Sequence, residues 1–273
     1  MGAGRFWHQK CTIITGASSG IGWKLAELLA ARGARVGLLA RRAPLLNELA
    51  RLITSRSGQA TFAVADVTDL SAVRTALRTL EDELGPCDVL IANAGIYRKT
   101  NGREFDPAKA DSVVATNLQG VIHAIGAVLP GMVQRRSGHL AAVSSIAGTL
   151  GLPGAAAYSA SKAAVITLLE SLRLDLRPLG IKVTTICPGY VDTPMITDED
   201  RAAVKNLVSA EDAARRIASA IERGRAECWF PWSTRLSTRL ARLLPCSLYD
   251  RIMVHIPEME ESRQEGAVST SGP

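Results

Sequence analysis

Short apolar runs alternate along the chain with longer segments that are apolar on one face only. Seven runs rich in β-branched residues are predicted strands, and they begin at residues 11, 35, 61, 87, 139, 182 and 226. Several segments between them, such as residues 70–85 and 209–224, repeat their apolar positions at helical spacing and end in glycine. Buried strands separated by helices are typical of a parallel sheet covered on both sides. The pattern therefore predicts a single α/β domain built on a doubly wound, parallel, seven-stranded sheet.

The chain continues beyond the last predicted strand. The strand and helix pattern fills residues 8–231, and residues 232–256 form an amphipathic C-terminal extension. A basic amphipathic helix can bind an anionic membrane surface, pack on its own domain or join two subunits. Because Pro245 interrupts a short apolar stripe, packing or subunit contact is favoured over membrane binding. The polar residues 257–273 are predicted to be disordered. The two faces of the extension carry Leu236, Leu240, Leu243 and Leu244 on one side, and Arg235, Arg239 and Arg242 on the other.

Composition narrows the class of protein. The chain has 273 residues, a net charge of +6 and 4% aromatic residues, and its basic residues are spread out, so no nucleic-acid partner is predicted. Its 5 cysteines are far apart and its 4 histidines lack metal-ligand spacing, which predicts neither disulfides nor a metal site. The sequence contains no recognisable signal peptide and no stretch of about 18 apolar residues, so a cytoplasmic location is expected.

A glycine-rich turn follows the first predicted strand in the stretch TGASSGIG, residues 15–22. A strand that turns tightly into a helix leaves backbone N–H groups free to bind a phosphate, and glycines allow close approach of a pyrophosphate. The spacing G-x-x-x-G-x-G differs from the general dinucleotide fingerprint, so an ordinary glycine-rich turn is the alternative. The candidate cofactor-binding residues of this turn are Gly16, Ser18, Ser19, Gly20, Ile21 and Gly22.

The ends of the second and third predicted strands bear on the choice of cofactor. An acidic residue after the second strand would suit the ribose hydroxyls of NAD, but this chain has Arg41 and Arg42 there. A guanidinium group fits a 2′-phosphate, so NADP is preferred over NAD, with a solvated helix N-terminus as the alternative interpretation. Asp66 and Val67 are placed to meet an adenine ring, and a helix N-cap is the other role open to Asp66.

Tyr158 and Lys162 are four residues apart in YSASK and therefore share one helix face. A phenol with its usual pKa of about 10 transfers protons poorly at neutral pH, and a neighbouring lysine cation would lower that pKa. Thirteen residues before Tyr158, Ser145 ends a predicted strand, where its hydroxyl could hydrogen-bond a substrate oxygen. The neighbouring Ser144 is the competing candidate, with strand-end capping as its structural role.

Taken together, these motifs resemble the short-chain dehydrogenase/reductase family. TGASSGIG, NAG at 93–95, Asn117, Ser145, YSASK and PG at 188–189 follow that family's order and approximate spacing, and the resemblance covers residues 8–231. It implies a Rossmann-type fold and an NADP-dependent oxidoreductase that transfers a hydride between nicotinamide and a carbonyl or alcohol substrate. It also implies a homodimer or homotetramer.

The resemblance implies a role for each matching residue. Tyr158 is implied as the general acid/base, Lys162 as the residue that tunes it and holds the nicotinamide ribose, and Ser145 as the hydrogen-bond partner of the substrate carbonyl. Asn117 is implied as part of a water-linked proton relay. The remaining implied cofactor contacts are Asn93, which steadies the sheet, Ala94, Gly95, Pro188, Gly189, Val191 and Thr193, which meets the nicotinamide carboxamide.

Two features depart from the family pattern. Ser19 stands where a basic residue often helps to hold the 2′-phosphate, so the NADP preference depends on Arg41, with Arg42 in support. The extension from residue 232 onward lies beyond the usual end of the family core.

The apolar residues 148–154 favour a hydrophobic substrate. A cofactor-binding regulatory or scaffold protein on the same fold is the alternative function, and a sugar-nucleotide epimerase is disfavoured by the glycine spacing and the short C-terminal region.

Overall fold

The computed structural model describes residues 6–204, 207–231, 238 and 240–255. Seven strands form a parallel sheet in the order β3-β2-β1-β4-β5-β6-β9, and β7 pairs with β8. The predicted doubly wound, seven-stranded α/β fold is confirmed. The strands are β1 (Cys11–Thr15), β2 (Arg35–Ala40), β3 (Gln59–Val64), β4 (Val89–Ala92), β5 (Gly138–Val143), β6 (Ile181–Pro188), β7 (Val191–Asp192), β8 (Val208–Ser209) and β9 (Glu227–Phe230).

Helices connect these strands, and local sequence sets several of their ends. Asp69 caps α3 by accepting hydrogen bonds from the backbone amides of Ser71 and Ala72, and the helix ends at Gly85, whose φ of +85° suits glycine. The helices are α1 (Gly20–Ala31), α2 (Ala43–Ser55), α3 (Leu70–Leu84), α4 (Pro107–Val114), α5 (Gly120–Arg135), α6 (Ala156–Leu176), α7 (Asp198–Ala203), α8 (Ala210–Glu222) and α9 (Cys246–Met253), with a π-helical turn at Ala115–Gln119 and 3₁₀ turns at Ile146–Gly148 and Arg177–Leu179.

Two apolar layers hold the helices on opposite faces of the sheet. The first contains fully buried side chains of α1, α2 and α8, namely Leu25, Leu49 and Ile217. The second contains Leu80 of α3 and Leu169 of α6, which are also fully buried. Every residue of β1 and β4 is buried as well. This double covering is why those strands are apolar on both faces in the sequence.

One long helical segment is more apolar than the sequence pattern suggested. The segment Pro107–Arg135 joins α4, the π-helical turn and α5, and an 18-residue window within it reaches a mean hydropathy of 1.5, so that by length and composition alone it could cross a membrane. Val121, Ala124 and Ile125 of this segment pack in the second apolar layer. Part of its apolar character therefore serves the core of the domain.

The C-terminal extension is described in part. Pro245 directly precedes α9, as expected for a residue that interrupts a helix. Leu240, Leu243, Leu244 and Arg242 are described, whereas Leu236, Arg235, Arg239 and residues 257–273 lie outside the described residues. Arg242 donates a hydrogen bond to the carbonyl oxygen of Thr149, so the described extension packs on its own domain.

The strand order places a crevice at the carboxyl ends of the central strands. The chain runs from β1 outward to β2 and β3, and then crosses to β4 on the other side of β1. In such a fold, ligands bind where the carboxyl ends of the strands separate. Asn93, just after β4, spans this point because its Nδ2 donates to the carbonyl oxygens of Thr15 at 3.0 Å and Gly16 at 3.2 Å. The structural role implied for Asn93 matches these contacts.

Candidate active site

A cavity of about 660 Å³ opens at the carboxyl ends of the strands. It brings together residues that are far apart in the sequence, from the glycine turn to the segment after β6. Of the predicted site residues, Gly22 and Asn117 are not part of its lining. The predicted residues that line it are Gly16, Ser18, Ser19, Gly20, Ile21, Arg41, Arg42, Asp66, Val67, Asn93, Ala94, Gly95, Ser145, Tyr158, Lys162, Pro188, Gly189, Val191 and Thr193.

The glycine turn joins β1 to the first turn of α1. Gly16 has a φ of +67°, and a Cβ atom placed on it would lie 2.7 Å from the Cα atom of Ala94. Ser19 precedes α1, and among the described residues no side chain caps this helix. The backbone N–H groups at the helix start are therefore available to an anion, and the helix dipole favours one there. The turn fits the pyrophosphate of a dinucleotide.

The two arginines after β2 take different positions. Arg42 lies against the glycine turn: its Nη2 donates to Ser18 Oγ at 2.9 Å and to Ser19 Oγ at 2.8 Å. Arg41 turns towards the end of β3, where its Nη1 lies 3.5 Å from Asp66 Oδ2. The cationic edge of the cavity thus has one guanidinium held by hydroxyls and another that is partly neutralised by a carboxylate.

Asp66 shapes the loop after β3 and does not cap α3. Its Oδ1 accepts hydrogen bonds from the backbone amide and the hydroxyl of Thr68, both at 2.9 Å. Partial burial acts to raise the pKa of Asp66, but the bonds from Thr68 and the charge of Arg41 outweigh it and hold the pKa below its usual value. The N-cap interpretation of Asp66 was wrong, because Asp69 occupies that position. A cap must lie directly before the first helical turn.

The structure separates the roles of the two serines after β5. Ser144 is buried, and its hydroxyl donates to the carbonyl oxygen of Lys162 at 2.7 Å, which ties β5 to α6. Both serines line the cavity, but the Ser145 hydroxyl accepts from the Ala147 amide at 3.1 Å and interacts with Tyr158, whose pKa it acts to lower. Ser145 is therefore the serine that faces the proposed reacting groups.

Tyr158 and Lys162 share one face of α6, as their spacing predicts. The Lys162 Nζ lies 5.6 Å from the centre of the Tyr158 ring and donates to the carbonyl oxygen of Val143 at 2.9 Å. Burial lowers the pKa of Lys162 from 10.5 to about 8. Burial also raises the pKa of Tyr158 above its usual value, although the hydrogen bond with Ser145 acts in the opposite direction. This net direction for Tyr158 is opposite to the sequence expectation, which considered the lysine charge but not the loss of solvent.

Asn117 lies in the π-helical turn and is fully buried behind the cavity. Its side-chain amide is bonded on both sides: Oδ1 accepts from the Ile96 amide at 2.8 Å, and Nδ2 donates to the Ile96 carbonyl at 3.0 Å and to Ser161 Oγ at 3.2 Å. These bonds fix the segment after β4 against α6. The proton-relay role implied for Asn117 stays a prediction.

The segment after β6 closes the cavity opposite the glycine turn. The Gly189 amide donates to the carbonyl oxygen of Phe230 at 2.7 Å, which sets where the segment leaves the sheet. Thr193 lies so close to the turn that a Cβ atom on Gly20 would be 3.0 Å from its Cγ2. Arg201 of α7 bonds Asp192 at 3.0 Å and Asp198 at 2.7 Å, so ion pairs hold this covering segment.

Several lining residues were not predicted from the sequence. Arg98, Thr116, Tyr190, Met195 and Ile196 all line the cavity. Tyr190 directly follows Gly189, and Arg98 lies three residues after Gly95, so adjacency to a motif was the available signal. Thr116 directly precedes Asn117, and Met195 and Ile196 lie within three residues of Thr193, so the same signal was available for them.

Comparison with known proteins agrees with this geometry. A family model described as short chain dehydrogenase matches residues 10–203. An uncharacterized oxidoreductase of Myxococcus xanthus is 41% identical over 241 residues, which cover 88% of this chain and 95% of that protein. The crystal structure of levodione reductase has a TM-score of 0.76 at 25% identity and covers 82% of this chain and 96% of its own. A dehydrogenase/reductase from Sinorhizobium meliloti 1021 has a TM-score of 0.74 at 30% identity and covers 81% and 93%.

The chain belongs to the short-chain dehydrogenase/reductase family. It is an oxidoreductase of that family, whose members use the nicotinamide cofactors NAD or NADP. The uncapped start of α1, the close packing at Gly16 and the cavity that joins them to Tyr158 fit such a cofactor.

Proposed function

We propose that this protein is an NADP-dependent oxidoreductase that interconverts a carbonyl compound and its alcohol, with Tyr158 as the general acid/base. The observation that carries the proposal is the shared lining of one cavity. Ser145, Tyr158 and Lys162 face the same space as the glycine turn and the two arginines. This shared lining supports a single extended ligand that meets both the candidate proton donor with its partners and the candidate phosphate-binding turn.

The choice of NADP over NAD is supported by the charge at the edge of the cavity. Arg41 and Arg42 both line it, and Asp66 is the acidic residue among the lining side chains of the described chain. The Asp66 carboxylate lies beside Arg41, whereas the Arg42 guanidinium is held by Ser18 and Ser19. A 2′-phosphate near the glycine turn would therefore meet Arg42 as well as Arg41, and a guanidinium fork suits phosphate geometry.

The residues of the chain have distinct tasks in this reaction. When bound, the nicotinamide ring supplies the hydride acceptor or donor. Ser145 and Tyr158 would both donate hydrogen bonds to the substrate oxygen, where negative charge develops during reduction. Because burial keeps the Tyr158 phenol protonated, Tyr158 is prepared to give its proton to that oxygen. Lys162, which is held by the Val143 carbonyl, would orient the ribose and offset charge on the phenol.

The walls of the cavity favour an apolar substrate. Ile146, Leu152, Met195 and Ile196 line it in addition to the polar groups already described. One structural neighbour is a levodione reductase, whose name describes the reduction of a carbonyl compound. We therefore propose a hydrophobic aldehyde or ketone, or the corresponding alcohol, as substrate. A cytoplasmic location and a homo-oligomeric assembly stay predictions from the sequence.

The proposal is tested by measuring NADPH and NADH oxidation with the wild-type protein and Tyr158→Phe over a panel of aldehydes, ketones and quinones. We expect NADPH-selective turnover, and a loss of kcat of about 100-fold or more in the variant, because general acid/base catalysis contributes on that scale. Cofactor affinity, followed by fluorescence titration, should change less than twofold. Near wild-type turnover by the variant would contradict the role of Tyr158. Cofactor binding without turnover in either direction would favour a regulatory or scaffold protein instead.

A further inference from the structure

Residues 148–154, here called the wall segment, lie between β5 and α6, beside the candidate catalytic residues. At its start, Gly148 packs tightly on α6, where a Cβ atom would lie 2.7 Å from the carbonyl carbon of Lys162. At its end, the Gly154 carbonyl accepts hydrogen bonds from the Thr100 amide at 2.8 Å and the Tyr97 hydroxyl at 3.2 Å. Both ends of the wall segment are therefore anchored to the domain.

Leu152, between these anchors, lines the cavity. The C-terminal extension holds the wall segment close to this point. The Tyr249 hydroxyl donates to the Gly151 carbonyl at 2.6 Å, and the Arg242 Nε donates to the Thr149 carbonyl. Partial burial raises the pKa of Tyr249, so its hydroxyl stays protonated and able to donate at neutral pH.

The orientation of α9 explains how Tyr249 reaches the wall segment. Tyr249 and Met253 are four residues apart and share one face of α9, and Met253 is buried. Leu248 and Ile252, on another face, are 43% and 49% exposed. A cavity of about 300 Å³ remains between α6 and the extension, with Thr149 and Arg242 in its lining. Among the described residues side chains leave part of this interface open, so the hydrogen bonds from Tyr249 and Arg242 matter for holding the wall segment.

We propose that Tyr249 and Arg242 are positioning residues for the cavity wall, and that the C-terminal extension thereby helps to set which carbonyl substrates the enzyme accepts. The proposal rests on the proposed function for its substrate-selecting part. Without these two donors, the middle of the wall segment keeps its anchors at Gly148 and Gly154 but loses its support next to Leu152. The substrate side of the cavity then becomes wider and less well ordered, while the cofactor side is unchanged.

The test compares the full-length wild type with Tyr249→Phe, Arg242→Met and the double variant. Leu243→Ala is the control, because Leu243 lies in the same extension and is 79% exposed. Hydrogen–deuterium exchange of peptides covering the wall segment is measured first. We expect exchange about fivefold faster in each single variant, the scale of one net hydrogen bond, and faster still in the double variant. The control should exchange at the wild-type rate.

Steady-state kinetics on a series of ketones of increasing size then tests substrate selection. In the variants we expect KM for the best bulky ketone to rise about 3–10-fold, with kcat and NADPH affinity within about twofold of wild type. Unchanged exchange in the double variant would overturn the positioning role. Faster exchange with unchanged KM values across the series would overturn the role in substrate selection. If the wild type showed no turnover at all, the proposed function would fail, and the exchange rates would still decide the positioning role.

Discussion

The contacts of Arg42 lead to a quantitative prediction about cofactor choice. Its guanidinium is already held at the glycine turn by Ser18 and Ser19, at 2.9 Å and 2.8 Å. Little side-chain entropy is therefore lost when it binds a 2′-phosphate. A hydrogen bond to a charged group contributes about 1.5–3 kcal/mol. Arg42→Ala should then weaken NADPH binding by about 10–150-fold. NADH lacks the 2′-phosphate and should lose less than about threefold.

Arg41→Ala should have a smaller effect. The Arg41 side chain is 60% exposed and shares its charge with Asp66 at 3.5 Å. Solvent screening limits such a contribution to about 1 kcal/mol, or about fivefold in NADPH affinity. The ratio of the two effects therefore distinguishes an arginine fixed at the turn from one that is mostly solvated.

The assay is fluorescence titration of each variant with NADPH and with NADH at one fixed ionic strength, since salt screens these interactions. Arg51→Ala is a matched control, because Arg51 is an exposed residue of α2 outside the cavity lining. Equal weakening of NADPH and NADH by Arg42→Ala would refute the assignment of Arg42 to the 2′-phosphate. A larger effect of Arg41→Ala than of Arg42→Ala would show that Arg41 is the principal contact.

Two further predictions concern the candidate catalytic residues and their neighbours. Ser145→Ala should lower kcat by about 100-fold, whereas Ser144→Ala should lower the free energy of unfolding by about 0.5–1.5 kcal/mol and largely retain kcat, because it removes the hydrogen bond that ties β5 to α6; kinetics and urea unfolding of both variants check this, and the reverse pattern would contradict it. The pKa of Lys162 falls from 10.5 to about 8 on folding, so between these pH values the unfolded state binds more protons than the folded state. The contribution of Lys162 to stability should therefore rise with pH across that window. The free energy of unfolding of wild type minus that of Lys162→Met should therefore increase from about pH 8 to 10.5, and a flat difference would disprove the shift.

Much of the fold was readable from local sequence. β1 and β2 begin at the predicted residues, and β3 begins two residues earlier than predicted, at Gln59. The helices predicted at residues 70–85 and 209–224 correspond to α3 and α8. Periodicity works here because the central strands are buried on both faces and the helices on one. The motif residues were found for a similar reason, since each stands at the carboxyl end of a strand or on one helix face.

Other features depend on contacts between distant parts of the chain, and sequence patterns left them open. The pattern did not distinguish Ser144 from Ser145, because both line the cavity and the choice depends on which hydroxyl bonds the Lys162 carbonyl and which interacts with Tyr158. It gave no reliable direction for the pKa of Tyr158, because burial is a property of the packed domain.

The sequence by itself thus determined the α/β class and most strand positions and proposed the candidate site residues, because these follow from short-range periodicity and from motif spacing. Only the tertiary structure decided that Arg42 lies on the glycine turn and that Tyr249 supports the wall segment 98 residues away in the chain. These contacts arise when helices and loops from separate parts of the chain pack at the carboxyl ends of the same strands. A local sequence pattern does not specify which distant segments come into contact.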